Sequence, residues 1–277
     1  LAATLLALMA REDVLSAQPH RWLGAGGTPT TDEEYAGELT LSPSQFERAL
    51  ACPLRWFLTT IGADAPSNAA ASLGTLIHAV AEEHPHGTPE ELTEALEARI
   101  EELGYNLDTW AGRVADRHAR DIVNNLASYV IGVPGEVTVE QTVSAEVEGV
   151  TIRGRMDRLE HVDEGVRVTD LKTGKSGYSA KTVPDNPQLA AYQMAMLASG
   201  ERVAGARIAL LGGDKPKYFD QPRLEGQILE EWHDKLRSVS ADARGPYFEA
   251  RPSDAACAYC SFDRLCPARE RGRKVVE

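Results

Sequence analysis

The sequence predicts an α/β or α+β fold in which a mixed central sheet is flanked by helices and preceded by a helical part. β-branched, partly alternating segments bounded by Gly and Asp predict three consecutive strands, over 137–147, 150–161 and 165–171. The following pattern predicts a helix, a strand and a helix, over 187–199, 202–211 and 222–243. Strands that follow a run of helices and then alternate with helices are typical of a sheet layered with helices.

The region in front of the strands is predicted to be helical. The run Ser42–Gln45 supplies a capping Ser, Pro at the first helical position and Gln three residues after the cap, so a helix should begin here and extend to about Leu58. Thr88 begins the same arrangement for a helix to Leu103. Further helices are predicted over 1–17, 72–83 and 107–131.

The chain is predicted to consist of a tether and one domain. Residues 18–40 are rich in Gly, Pro and Thr, which is typical of a linker. Residues 1–40 are therefore expected to be the end of a preceding region and its tether, and 41–277 to be the domain. Within that domain we expect a helical part, a catalytic core and a cysteine-bearing segment, over 41–133, 134–245 and 246–277.

Composition limits the possible functions. The formal net charge of −13 argues against a protein that binds DNA tightly by itself, since phosphates are bound mainly through Lys and Arg. If DNA is the substrate, a partner should supply much of the binding. No stretch approaches the roughly 20 apolar residues of a membrane span. The apolar opening, residues 1–10, lacks a cationic flank and a cleavage site, so it is predicted to be a helix and not a signal peptide.

An acidic residue and a lysine share one face at the end of the third predicted strand. Asp170 and Lys172 are two residues apart, so on a strand they point the same way. A carboxylate that fixes a divalent cation beside an ammonium that orients the attacking water suits phosphodiester hydrolysis. Asp157 on the neighbouring strand can supply a second carboxylate, and such hard oxygen ligands select Mg²⁺ or Mn²⁺. The two-residue spacing alone equally fits a strand-end salt bridge.

Four short motifs occur in a fixed order along the chain: Gly74–His78, Gly154–Asp157, Asp170–Lys172 and Gln188–Tyr192. In this order they resemble the PD-(D/E)XK nuclease superfamily and its RecB-like branch. The resemblance implies a restriction-endonuclease-like core in which His78, Asp157, Asp170 and the carbonyl of Leu171 ligate the metal ion and Lys172 is catalytic. It also implies that Gln188 and Tyr192, four apart on one helix face, contact the nucleic-acid backbone or support the lysine.

Two of the candidate residues have more ordinary explanations. A lone helical His, such as His78, is more often packed or solvated than a metal ligand, and only the surrounding motifs favour ligation. Glu140, on the first predicted strand, is expected to be a solvated carboxylate or at most a residue that supports a ligand.

The four cysteines are predicted to hold a metal centre. Three of them have the spacing C-x2-C-x5-C and the fourth lies far upstream; they are Cys257, Cys260, Cys266 and Cys52. Such a tetrahedral set suits Zn²⁺ or an iron–sulfur cluster. Around a RecB-like core it resembles the cluster-bearing nucleases, which implies a [4Fe–4S] cluster in preference to zinc. The cluster would close a very long loop and restrict the unfolded chain, as a disulfide does.

The resemblance also implies a setting. The chain is similar to the C-terminal nuclease domain of bacterial AddAB- and AdnAB-type helicase–nucleases, which process double-strand breaks. Its expected partners are single-stranded DNA, helicase motor domains in the same chain and a second helicase–nuclease subunit, in the bacterial cytoplasm at the nucleoid. A free-standing Cas4- or Dna2-like exonuclease is the alternative. A non-catalytic, cluster-stabilised scaffold that guides DNA is the third possibility.

Overall fold

The computed structural model describes residues 2–18, 32–63, 69–133, 135–258 and 260–270. The chain divides into two compact units. The first consists of Leu1–Ala36 with Arg244–Tyr247, and the second of Gly37–Ala243 with Phe248–Glu277. Among the described residues, no helix is both long enough and apolar enough to cross a membrane.

The first unit contains α1 (Ala2–Arg11) and a short 3-10 turn. Its two chain segments are joined where the Tyr35 amide donates to the Arg244 carbonyl at 2.8 Å and Arg244 Nη1 donates to the Tyr35 carbonyl at 2.9 Å. Most of the predicted linker, residues 19–31, lies outside the described residues. The predicted end of the linker at residue 40 is wrong, because residues 39–41 form a short strand of the second unit.

The predicted helix start at Ser42 is confirmed, with both hydrogen bonds of the capping box present. The predicted end at about Leu58 is wrong, because two helices occupy this stretch: α2 (Pro43–Ala51) and α3 (Pro53–Thr60). The break comes before Pro53, whose ring has no N–H to continue the first helix and disfavours helical backbone in the residue before it. The second capping box, at Thr88, is also present.

Five further helices follow the predicted order: α4 (Ala69–Glu83), α5 (Pro89–Arg99), α6 (Trp110–Gly132), α7 (Pro187–Ala198) and α8 (Gly226–Ala243). The short α9 (Asp254–Cys257) was not predicted. α8 begins four residues later than predicted, because the stretch ending at Pro222 belongs to a strand. α7 is buried almost throughout, so it lies inside the fold and not on its surface.

A mixed sheet forms the centre of the second unit, as predicted. Its strands are β1 (Leu39–Leu41), β2 (Val137–Val147), β3 (Val150–Val162), β4 (Gly165–Lys172), β5 (Val203–Leu210) and β6 (Lys217–Pro222). β3 pairs with β2, β4 and β1, and the order continues from β4 to β5 and β6. β1 and β6 were not predicted: β1 has only three residues, and β6 is a mostly exposed, polar strand at the end of that order.

One edge of β3 changes partners along its length. It pairs first with β1, at residues 150–152, and then with β4, from residue 158 onward. Between them, residues 153–156 pair with β2 alone, and the regular pairing is interrupted at Asp157. Backbone groups on this part of the edge need other partners, and side chains can enter there. The opening lies at the carboxyl end of β4, where Asp170 and Lys172 are found.

Two apolar cores fix the layers. One is formed by sheet residues with α2, α7 and α8, and includes Phe46, Met156 and Trp232. The other is formed by α4, α5 and α6 with residues at the ends of β4 and β5, and includes Leu96 and Leu126. The sheet is therefore covered by helices in two separate clusters, and the helical part in front of the strands is packed onto it.

A buried amide ties α6 to the end of β5. Asn125 Nδ2 donates to the carbonyls of Leu211 and Gly213 at 2.7 and 2.8 Å. We expect Asn125→Ala to lower the free energy of unfolding by about 2 kcal/mol, since it leaves buried carbonyls without a donor. Urea denaturation measures this. The matched control is Asn124→Ala on the exposed side of the same helix, and an equal loss in both variants would contradict the prediction.

Candidate active site

Three carboxylates lie in one row across the sheet. The register of β2 and β3 on both sides of Glu140 places it opposite Asp157, and the register of β3 and β4 continues to place Asp157 opposite Asp170. At this row the regular pairing of the strands is interrupted. Directly opposite side chains on neighbouring strands have Cβ atoms about 5 Å apart, so like charges here repel one another.

Each carboxylate of the row has its own basic partner. The pairs are His78 Nδ1 with Asp157 Oδ1 at 3.2 Å, Lys172 Nζ with Asp170 Oδ2 at 2.8 Å, and Arg155 Nε with Glu140. The structure therefore brings together the four residues that the sequence singled out, and adds two. His78 reaches the row from α4, whereas the other basic residues come from the strands.

Asp157 links two strands at the unpaired edge of β3. Its Oδ2 accepts a hydrogen bond from the Leu171 amide at 2.7 Å, while its Oδ1 faces His78. The resemblance had pointed to the carbonyl of Leu171 as a metal ligand; the contact seen here is made by the amide of that residue. Asp157 thus holds β4 against β3 where the regular ladder has ended.

Gln188 bridges the acid and the base of the D-x-K motif. Its Nε2 donates to Asp170 Oδ1 at 2.8 Å, and its Oε1 accepts from Lys172 Nζ at 3.1 Å. The residue therefore supports the lysine, which is one of the two roles expected for it. The amide has its donor and its acceptor in use, so both side chains are fixed in orientation.

Burial shifts the pKa values of this pair. Asp170 is only 5% exposed, and desolvation raises the pKa of its carboxyl to about 6, with Lys172 opposing the shift and Asp157 adding to it. Desolvation lowers the pKa of the Lys172 amine, but the charge of Asp170 outweighs it, so that the pKa lies above its usual value. Lys172 is therefore a cation at neutral pH, held beside an acid that ionises with difficulty.

Tyr192 fills the gap in the edge of β3. Its hydroxyl donates to the Arg155 carbonyl at 2.8 Å, and its ring is buried at 6% exposure. This carbonyl belongs to the stretch of β3 that pairs with β2 alone. Tyr192 therefore contacts the strand that carries Asp157, and a buried ring is poorly placed to touch nucleic acid.

His78, Asp157 and Glu140 together form a possible metal site. Among the described residues these three are the set whose ligand atoms all lie within 4.8 Å of one another. They line a cavity of about 490 Å³ together with Glu82 and Arg155. Asp170 lies next to this set in the row, and its charge acts on both His78 and Asp157.

Glu140 was underestimated by the sequence reasoning. Its side chain is 11% exposed and ion-paired with Arg155, so the expectation of a solvated carboxylate is wrong. Its backbone is in the left-handed region, with φ of 53°, which costs a residue other than Gly on the order of 1 kcal/mol. Only the strand register places Glu140 beside Asp157, and no feature of the sequence reports that register.

Glu47 is a second residue that the sequence reasoning missed. It lies on α2, where Asn186 Nδ2 donates to its Oε1 at 3.4 Å. Desolvation raises the pKa of its carboxyl, and the charge of Lys172 opposes that shift. Glu47 therefore lies close enough to Lys172 for the two charges to interact. One signal was available: position 47 falls on the same helical stripe as the apolar residues at 43 and 50.

The four cysteines are at the end of α2, at the end of α9 and in the last described segment. Three of them line one cavity of about 450 Å³: Cys257, Cys260 and Cys266. Cys52 stands at the corner between α2 and α3, where its Sγ accepts a hydrogen bond from the Arg251 amide at 3.5 Å. Next to it, the Leu54 amide donates to the Glu249 carbonyl at 3.1 Å. The corner therefore holds the segment that leads to the other three thiols.

Comparison with known proteins agrees with this geometry. The family model of the PD-(D/E)XK nuclease superfamily matches residues 40–267, which include the row, the lysine and the cysteines. The chain belongs to the PD-(D/E)XK nuclease superfamily. Members of this superfamily are hydrolytic nucleases that use divalent metal ions. No curated protein sequence matches the chain.

Two solved structures are similar to this PD-(D/E)XK chain. One is SSO0001, at 15% identity over 97% of each chain, with a TM-score of 0.43. The other is a candidate exonuclease from Eubacterium rectale, at 12% identity over 85% of this chain and 92% of that one, with a TM-score of 0.48. Both likenesses are too distant to assign a substrate.

Metal binding should release protons near pH 6. The His78 pKa is raised: desolvation lowers it, but the hydrogen bond to Asp157 and the charge of Asp170 outweigh that effect. The Asp170 carboxyl, with a pKa of about 6, is also partly protonated there, and both groups must lose the proton to bind a metal ion.

We therefore expect the affinity for Mn²⁺ to fall as the pH drops from 7.5 to about 5.5. Calorimetric titration at pH 6 in two buffers of different ionisation enthalpy measures the protons released. Identical heats in the two buffers, or affinity independent of pH, would contradict the assignment of these ligands.

Proposed function

We propose that this chain is a Mg²⁺- or Mn²⁺-dependent deoxyribonuclease that hydrolyses phosphodiester bonds of single-stranded DNA. The observation that carries the proposal is the row of three carboxylates beside an imidazole and a partly buried ammonium. Clusters of titratable groups with shifted pKa values are typical of functional sites. Oxygen ligands with one imidazole suit a hard divalent cation.

The residues present fit such an ion. His78, Glu140 and Asp157 would hold it, together with the neighbouring Asp170 of the row. The ion, when bound, supplies a Lewis acid that activates water and offsets the charge of the phosphate. The hydrogen bond from the Leu171 amide keeps Asp157 Oδ2 in place and leaves Oδ1 on the side of His78. The ligands are therefore oriented before any ion arrives.

Lys172 acts as a cation and a hydrogen-bond donor. Its raised pKa means that it keeps its proton at neutral pH, so it is unsuited to serve as the base that deprotonates water. Gln188 and Asp170 fix the ammonium in place, and the charge of Glu47 acts on it as well. The ammonium can thus lie against the phosphate at which negative charge develops.

A helicase–nuclease is the setting we propose, with motor domains in the same chain and a second subunit as partners. The net charge of −13 supports it, because a motor that delivers single-stranded DNA relieves this domain of binding DNA tightly by itself. A free-standing Cas4- or Dna2-like exonuclease is the alternative. Nanomolar binding of single strands by this chain alone, at physiological salt, would favour that alternative.

The cysteines are proposed to hold a [4Fe–4S] cluster. Zn–S bonds of 2.3 Å place the sulfurs of a zinc site about 3.8 Å apart. Three of the four thiols line one cavity of about 450 Å³, which supports a centre shared by them. An iron–sulfur cluster needs a wider set of thiols, and its potential depends on hydrogen bonds such as the one Cys52 accepts.

The nuclease proposal predicts a metal-dependent cut. A fluorescent single-stranded oligonucleotide should be cleaved with Mg²⁺ or Mn²⁺ and remain intact in a chelator. Lys172→Met should lower the rate about a thousandfold, since it removes the donor beside the phosphate, and Asp170→Asn should abolish cleavage. The controls are Lys175→Met and Asp163→Asn, both at exposed positions. Cleavage by Asp170→Asn at the wild-type rate would end the proposal, and no cleavage by the wild type would favour the scaffold.

The cluster proposal predicts a coloured protein. Purified without oxygen, the chain should be brown, and Cys52→Ala should be colourless and less stable to heat because the long loop is no longer closed. Ala51→Ser, at the exposed neighbouring position, should remain brown. An intact chromophore in Cys52→Ala would show that this cysteine is not a ligand, and zinc without iron in metal analysis would exclude the cluster.

A further inference from the structure

An arginine spans the mouth of the candidate metal cavity. Arg155 Nη2 lies 3.2 Å from Glu82 Oε2, and its Nε is ion-paired with Glu140. Glu82 is one helical turn beyond His78 on α4, whereas Glu140 is on β2. The guanidinium therefore connects α4, which carries His78, with β2, which carries Glu140, and both of these residues belong to the possible metal-ligand set.

The same carboxylate serves two cations in this arrangement. Glu140 is the partner of Arg155, and it is also one of the three residues that could hold a metal ion. A guanidinium and a divalent cation on one carboxylate repel each other at short range. Metal binding at Glu140 and the ion pair with Arg155 therefore compete.

Arg155 is free to move away. Its side chain is 60% exposed, so release from Glu140 requires no rearrangement of the core. Its backbone cannot follow, because Tyr192 holds the Arg155 carbonyl. The released guanidinium thus remains within one side-chain length of the cavity. It has the planar, forked geometry that binds phosphate through two hydrogen bonds.

We propose that Arg155 is a phosphate-binding residue of the nuclease, held on Glu140 and Glu82 until a divalent cation takes Glu140. The proposal rests on the proposed nuclease function and adds an order of events to it. The metal-free site is closed to phosphate because its arginine is occupied, and the metal-loaded site offers both the cation and the guanidinium to the same DNA strand.

The first test measures Mn²⁺ binding to the whole chain by calorimetry. Arg155→Gln should bind Mn²⁺ about fivefold more tightly than the wild type, since an exposed ion pair that competes for Glu140 is worth up to about that factor. The matched control is Arg153→Gln, an exposed arginine two residues earlier on β3 that removes the same charge. It should change the affinity less than about twofold.

The second test measures binding of a fluorescent single-stranded oligonucleotide by anisotropy, at saturating Mn²⁺ and in the slowly cleaving Lys172→Met background. Arg155→Gln should weaken binding about tenfold, because a two-bond contact with phosphate is lost, and Arg153→Gln should weaken it less than about threefold. Thermal denaturation checks that each variant is folded.

The outcomes separate this proposal from the function on which it rests. Equal Mn²⁺ affinity in the two glutamine variants, or equal oligonucleotide affinity in them, would overturn the role of Arg155 while the wild type still cuts DNA. A wild-type chain that binds no Mn²⁺ and cuts no oligonucleotide would instead refute the nuclease function itself.

Discussion

Repulsion among three carboxylates on adjacent strands is the constraint to which the rest of the site is arranged. Glu140, Asp157 and Asp170 share one row of the sheet. Without compensation such a row would favour separation of the strands. Arginine, histidine and lysine each offset one member, and the site still favours one more positive charge, since desolvation raises the Asp170 pKa to about 6. A divalent cation would supply that charge beside Glu140 and Asp157, whose ligand atoms lie close together with that of His78.

The distance between β3 and β4 at the row is maintained because α7 contacts both of these strands. Gln188 contacts the two functional residues of β4, and Tyr192, one turn later, contacts the backbone of β3. The spacing of four residues puts both side chains on the same helix face. Since α7 is buried along nearly its whole length, this face cannot slide or rotate without disturbing the core. Gln188 and Tyr192 therefore hold β4 and β3 at a fixed distance from each other.

The sequence predicted most of the fold because its long elements have clear periodicity and clear starts. It predicted that His78, Asp157, Asp170 and Lys172 would meet because their motifs occur in a recognisable order. The sequence could not predict the register of neighbouring strands or the packing of helices against the sheet. Glu140 joins the row through strand register, and Glu47 meets the lysine through the packing of α2; neither relation is visible in a local pattern.

The missed and misplaced elements have physical reasons of the same kind. β1 is too short for alternation to be detected, and β6 is a polar strand whose neighbours stabilise it. The break before Pro53 could have been predicted from the ring of the proline alone. One continuous helix was predicted instead, because the apolar pattern that follows the capping box at Ser42 continues without interruption into the second helix.

Because of that break, α2 is a short helix with Glu47 at its middle and Cys52 directly after its last residue. The helix carries Glu47 toward Lys172 and stops at Cys52, roughly 7.5 Å further along its axis. A short helix is stiff over this length, so a displacement of Cys52 also displaces Glu47, whose charge acts on Lys172. Oxidation of the Cys52 thiol would therefore change the surroundings of the lysine from a distance, along one helix.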